Sequence, residues 1–229
     1  MKKHLGMILT AAVAALLLGA CGSADTAPES TAAPAEPIPV ILGTLENGTY
    51  ENEYLGFGAQ FPAGWQVDTA ENLQDFSESV KEKFKDSDDK ELGMALAEYP
   101  QIMDMKAINP ETGDSVNVMY TELSETERVT FLSMDEDQIL DSVLDQKNAI
   151  MSTYAKAGMT TESMEKVTIT FLGQQRQAIR TVCKMKEDSI YMYQIFDYTL
   201  GGQHGVVTTF SGVNDETLKE SIALFYALD

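Results

Sequence analysis

The chain has 229 residues, with 36 Asp and Glu against 16 Lys and Arg, a formal net charge of −20. A surface that acidic is repelled by phosphate backbones and anionic headgroups, which excludes nucleic-acid binding and attachment to a membrane through charge. The two cysteines, Cys21 and Cys183, are too few for a disulfide framework.

The first residues carry a basic start (Lys2, Lys3), an apolar run from Leu5 to Leu18, and the exit Leu18-Gly19-Ala20-Cys21. That is the order of a secretory signal with small residues at the cut. The run of about 14 residues covers roughly 21 Å as a helix, short of the ~30 Å hydrocarbon core that a retained span must cross. The exit resembles the lipobox of bacterial lipoproteins, in which the cysteine is acylated and becomes the new N-terminus. The expectation is a signal peptide over 1–20 and lipid attachment at Cys21, on the extracytoplasmic face of the cell membrane. The alternatives are a retained transmembrane helix and an ordinary signal with Cys21 incidental. Two acyl chains of a diacylglyceryl group suffice for stable anchoring. Processing removes Lys2 and Lys3 and no acidic residue, taking the charge from −20 to −22.

Residues 21–47 follow as the acylated cysteine and an Ala/Pro/Thr/Glu-rich stretch, typified by Thr26-Ala27-Pro28-Glu29-Ser30-Thr31. It has no aromatic residue and no periodic apolar face, the composition of a tether. About 27 residues reach ~90 Å when extended and average nearer 30 Å as a coil.

Residues 48–229 are long enough for one domain with a sizeable core. Thr49 to Tyr54 opens it, and Phe57, Ala59 and Phe61 then alternate with Gly58 and Gln60 as in a half-buried strand. Pro62-Ala63-Gly64-Trp65 predicts a turn, with the single Trp as a core anchor. Asp68-Thr69-Ala70-Glu71 has capping-box form and predicts a helix with Leu73, Phe76, Val80 and Phe84 on one face. Asp86 to Glu91 reads as a charged loop. Ile102–Asn109 and Ser115–Leu123 read as strands joined by a turn at Pro110 to Asp114. The longest helix is expected from Asp135, capped with Gln138, to a stop at Gly158. Four strands follow, Lys166–Phe171, Arg176–Met185, Ser189–Leu200 and Gly205–Ser211. Asn214 caps a last helix facing inward with Leu218, Ile222 and Phe225.

One strand bears on the architecture. Between Ile190 and Leu200 one face carries Ile190, Met192, Phe196 and Tyr198, the other Tyr191, Tyr193 and Ile195. A strand apolar on both faces is covered on both faces. The expected fold is α+β, an antiparallel β-sheet flanked by helices on both faces.

The segment Tyr54-Leu55-Gly56-Phe57-Gly58-Ala59-Gln60-Phe61-Pro62-Ala63-Gly64-Trp65 resembles the opening of PsbP-like domains, where a Gly-Phe strand runs into Pro-x-Gly-Trp. The order of elements agrees with that family. Ala107 to Val118 and Leu224 to Leu228 are similar to segments of uncharacterised lipoproteins from Gram-positive anaerobes. The resemblance implies an α/β/α sandwich used mostly for binding, and it carries no catalytic residues to this chain.

Candidate chemistry is sparse. Asp86-Ser87-Asp88-Asp89-Lys90-Glu91 places Lys and Glu where a calcium loop needs a ligand and Gly, so a solvated acidic loop is the better reading. Asp135, Glu136, Asp137 and Asp141 could attract a divalent cation, but acidic residues also complement a helix N-terminus. Gly201-Gly202-Gln203-His204-Gly205 lacks the strand-to-helix setting of a phosphate loop and reads as a hairpin turn. Cys183 reads as a buried inert thiol; pairing it with His204 as a nucleophile would need both at adjacent strand ends. With one His and one Cys after processing, zinc falls short of ligands. No catalytic, cofactor-binding or metal residue is assigned. The expected function is a lipid-anchored binding or interaction domain for an envelope protein or ligand. The alternatives are a carboxylate-dependent hydrolase of envelope or polysaccharide polymers and a small-solute receptor of a transporter.

Overall fold

The structure, a computed structural model, describes residues 40–69, 101–123, 125–156, 158–185, 188–201 and 204–228. The expected signal peptide, Cys21, most of the expected tether, the helix expected through Leu73 to Phe84 and the expected loop Asp86 to Glu91 lie outside these residues. Eleven strands form two antiparallel sheets among them, with four helices.

The smaller sheet holds β1 (Thr44–Glu46), β2 (Thr49–Asn52), β3 (Phe57–Gln60) and, beside β3, the C-terminal β11 (Phe225–Ala227). The larger holds β4 (Gln66–Thr69), β5 (Gln101–Ile108), β6 (Ser115–Glu122), β7 (Thr160–Phe171), β8 (Gln174–Met185), β9 (Asp188–Gly201) and β10 (His204–Gly212). Its spatial order is β4-β5-β6-β10-β9-β8-β7, so β10 is central and β7 is an edge. The helices are α1 (Glu125–Leu132), α2 (Glu136–Asp145), α3 (Lys147–Lys156) and α4 (Asp215–Ile222).

Alternation along the central strands sorts side chains into two cores. Met192, Val207, Ile179 and Cys183 pack with Phe131, Ile139, Leu140, Val143, Ile150 and Tyr154 of α1 to α3. Tyr193, Ile195, Val206, Phe210, Val118 and Tyr120 pack with the small sheet and with Leu218 and Ile222 of α4. The two-sided reading of β9 holds for Met192 against Tyr193 and Ile195. Much of the second face is covered by the small sheet, whose Phe57 and Phe61 join Phe171, Phe210 and Phe225 in an aromatic cluster with centroids 5.3–6.3 Å apart. Edge-to-face and tilted pairs of this kind add to plain area burial.

Several expectations need correction. Asp68 and Thr69 do not cap a helix: they sit in β4, paired with Lys106 and Met105 of β5. The helix from Asp135 is two helices broken at Gln146, whose φ of −91° and ψ of 7° leave the helical region. The break lets Ile139 and Leu140 on one side, and Ile150 and Tyr154 on the other, both reach a twisted sheet. Its start is as read, since Asp135 and Gln138 form a reciprocal capping box, and Gly158 lies just past α3 with φ +80°. Helix α1 is an element the sequence reading lacks. The last helix stops at Ile222, and Phe225 belongs to β11, paired with Ala59. Trp65 is half-buried, its ring 5.4 Å from Phe61, and caps the aromatic cluster from outside. Strands β7 and β8 run longer than expected, because their solvent-facing Thr, Glu and Gln residues mask the period.

Candidate functional site

Two places in the described molecule gather polar chemistry. The first lies where the chain enters the domain. A bulge in β5 between Met103 and Met105 turns Asp104 toward the small sheet, a common use of bulges. Its carboxylate is fully buried. Oδ1 accepts from the Gly43 backbone N–H at 2.7 Å, and Oδ2 accepts from Tyr50 OH at 2.6 Å and Asn52 Nδ2 at 2.7 Å. The Ile41 carbonyl accepts from Tyr120 OH at 2.9 Å. Burial raises the Asp104 pKa above its ordinary value, against the lowering effect of the three donors. The same burial, with the Asp104 charge, raises Tyr50 and Tyr120 far above the usual phenol. Gly43 is required here, since a Cβ would collide with the Tyr50 ring. The cluster fastens Ile41 and Gly43, just ahead of β1, to the large sheet. With both carboxylate oxygens occupied and buried, Asp104 is poorly placed to meet a substrate.

The second is an open groove of about 730 Å³ between the end of the β7–β8 hairpin and α4. Val167, Ile169, Leu172, Ile222 and Phe225 make it apolar, and Lys219, Tyr193, Thr168, Thr170 and Gln175 give it polar rims. No carboxylate is among its lining residues. Helix α4 is held in place by its own start. The Asn214 side chain accepts from the N–H groups of Glu216 and Thr217, and Asp215 grips Arg180 of β8 in a two-point fork of 2.9 and 2.7 Å. Tyr193 OH also donates to Asp215 at 2.9 Å. The Arg180 guanidinium, first through its hydrogen bonds, holds the Asp215 carboxyl below the usual range. Arg180 stands 5.4 Å from the Tyr191 ring centroid, a cation–π distance.

At the hairpin tip Leu172 and Gly173 have φ of +53° and +74°, the pattern of a tight turn that favours Asn-Gly. Leucine there is strained by about 1–2 kcal/mol, yet its side chain lines the groove. Nothing in the sequence reading singled out this turn. Its one signal was Leu-Gly between two strand patterns, where a turn residue is expected.

The residues weighed from sequence fall elsewhere. Glu136 pairs with Arg176 at 2.7 Å, and Asp137 and Asp141 both reach Lys166, at 2.9 and 2.8 Å. These acids therefore tie α2 to β7 and β8. Cys183 is buried, 3.6 Å from Thr161 Oγ1, with its pKa raised by burial. His204 stacks edge-on to Tyr120 at 6.2 Å and pairs with Gly201 across the expected hairpin. Cys183 pairs with Ile190, roughly 36 Å along β9 from that end, so the two are not brought together. Among the described residues no group of three or more His, Cys, Asp or Glu is gathered to hold a metal, and no helix is long and apolar enough to cross a membrane.

No family model and no curated protein matches this chain. Among solved structures it is similar to the solution structure of cyanobacterial PsbP (CyanoP) from Synechocystis sp. PCC 6803. The identity is 12%, the alignment covers 85% of this chain and 98% of that one, and the TM-score is 0.42.

Proposed function

We propose that this is an extracytoplasmic lipoprotein, anchored through acyl groups on Cys21, whose folded domain, opened by β1 at Thr44–Glu46 ahead of the expected start at residue 48, is a non-catalytic binding module. In this reading the domain is a PsbP-like α/β/α sandwich, with α1 to α3 on one face of the large sheet and α4 on the other. The carrying observation is the order Lys2-Lys3, Leu5 to Leu18, then Leu18-Gly19-Ala20-Cys21. It calls for export and acylation, since two chains hold a protein at a membrane where a net charge of −20 cannot. The Asp104 cluster supports the tethered reading, because it pins Ile41 and Gly43, near the end of the expected tether, to the large sheet. The groove beside α4 supports binding over hydrolysis, being apolar with a cation at its rim rather than a facing carboxylate pair.

Replacing Cys21 by Ser is expected to release the protein into soluble fractions, and intact-mass measurement of the wild type to show acyl groups on Cys21. Persistent membrane association of the variant would sink the anchoring claim.

A further inference from the structure

The edge of the large sheet and the groove beside it belong to one surface. Among the described residues β7 pairs on one side only, with β8. An unpaired edge is normally blunted by charge or a bulge. In β7 both devices sit ahead of Val167: the bulge between Thr161 and Ser163, and the charges of Glu162, Glu165 and Lys166. The remainder, Val167-Thr168-Ile169-Thr170-Phe171, carries neither, and the groove runs along it. Leu172, held in its strained turn, closes one end. Lys219, on the exposed side of α4, is the charged residue among those lining the groove; its charge acts on Asp215 one turn earlier, with no direct ion pair among the described residues.

We propose that Val167–Phe171 is the docking edge for an extended peptide segment of a partner protein. The segment adds as a strand beside β7, places apolar side chains at alternate positions toward Val167, Ile169 and Leu172, and brings a carboxylate to Lys219. Main-chain hydrogen bonds supply the grip and the groove supplies selectivity, as in other strand-addition sites. The charge-free edge selects an extended backbone, and Lys219, the charged residue among those lining the groove, selects an acidic side chain. The assignment rests on the binding-module reading above.

The test uses the full chain in detergent micelles and the probe acetyl-Thr-Val-Thr-Val-Glu-Val-Thr-amide, with its versions N-methylated at alternate residues in the two possible phases. Amide exchange is expected to slow within Val167–Phe171 when the peptide is present. One N-methyl phase should weaken binding at least about tenfold while the other leaves it unchanged, since only one peptide edge faces β7. Lys219→Glu should weaken binding roughly fivefold, an effect that shrinks with salt. Equal binding by both N-methyl phases, no measurable binding, or protection confined to other residues overturns the proposal. Protection elsewhere would still leave a binding module, and the acylation of Cys21 bears on that reading alone. A peptide-free chain that sediments as a dimer with Val167–Phe171 already protected also overturns it, by assigning the edge to a second copy.

Discussion

Where the large sheet faces the small one, buried polar groups partner one another: Asp104 accepts from Tyr50 and Asn52, and Tyr120 donates to Ile41. Where it faces away, Asn117 Oδ1 and the hydroxyls of Thr121, Thr181, Thr209 and Ser211 are buried without hydrogen-bond partners among the described residues, as is the Tyr154 hydroxyl of α3. Both faces are buried, but on the second these buried polar atoms are held by shape alone, and the bonds from α2 to β7 and β8 lie nearer its surface. An unpaired buried hydroxyl costs about 1–3 kcal/mol, so the second face carries slack that the first does not.

Substitutions can break that contrast. The largest effect is expected at Phe210, fully buried in the aromatic cluster: Phe210→Ala should cost about 3–5 kcal/mol in urea denaturation. Asp104→Ala leaves the Tyr50 hydroxyl and the Gly43 N–H without their acceptor, while Asn52 Nδ2 keeps the Ile41 carbonyl and Tyr120 OH, and should cost about 2–4 kcal/mol. Trp65→Ala, at a half-buried position, should cost about 1–2 kcal/mol; a loss as large as that at Phe210 would mean the tryptophan is a true core anchor. On the other face, Thr209→Val keeps the shape and removes only an unpartnered hydroxyl, so stability should move by less than about 0.5 kcal/mol or rise. A loss above 1 kcal/mol there would show that the hydroxyl is satisfied after all.

Titration sharpens the same comparison. The pKa of Asp104 is raised on folding from its ordinary 3.8. Its contribution is therefore fully present below that value and is lost as pH rises through the folded pKa. Wild type minus Asp104→Asn should fall in stability over that window and be flat above it. A difference that grows with pH instead would mean the three donors, rather than burial, dominate the carboxyl.

The groove teaches a related lesson about legibility. Asn214 and the apolar positions Leu218 and Ile222 announce α4, and the alternation around Phe57 announces β3, because caps and periods are local. The Arg180–Asp215 fork joins residues far apart in sequence, and neither has any local mark. The break at Gln146 was equally silent, having no proline or glycine to signal it. The Asp104 bulge hides in Met103-Asp104-Met105, where an acidic residue inside a strand reads as solvent-facing.

By itself the sequence determined the acidic character, the signal-like start, the antiparallel class, the two-sided strand β9 and the caps of α2 and α4. Those follow from composition, from periods of 2 and 3.6, and from hydrogen bonds closed within a few residues. Tertiary structure alone decided that the first hairpin and the last strand would form a second sheet, that Asp104 would turn inward, and that β7 would lie at an edge. Strand order and cross-sheet bonds depend on which distant segments meet, and no local pattern encodes that meeting.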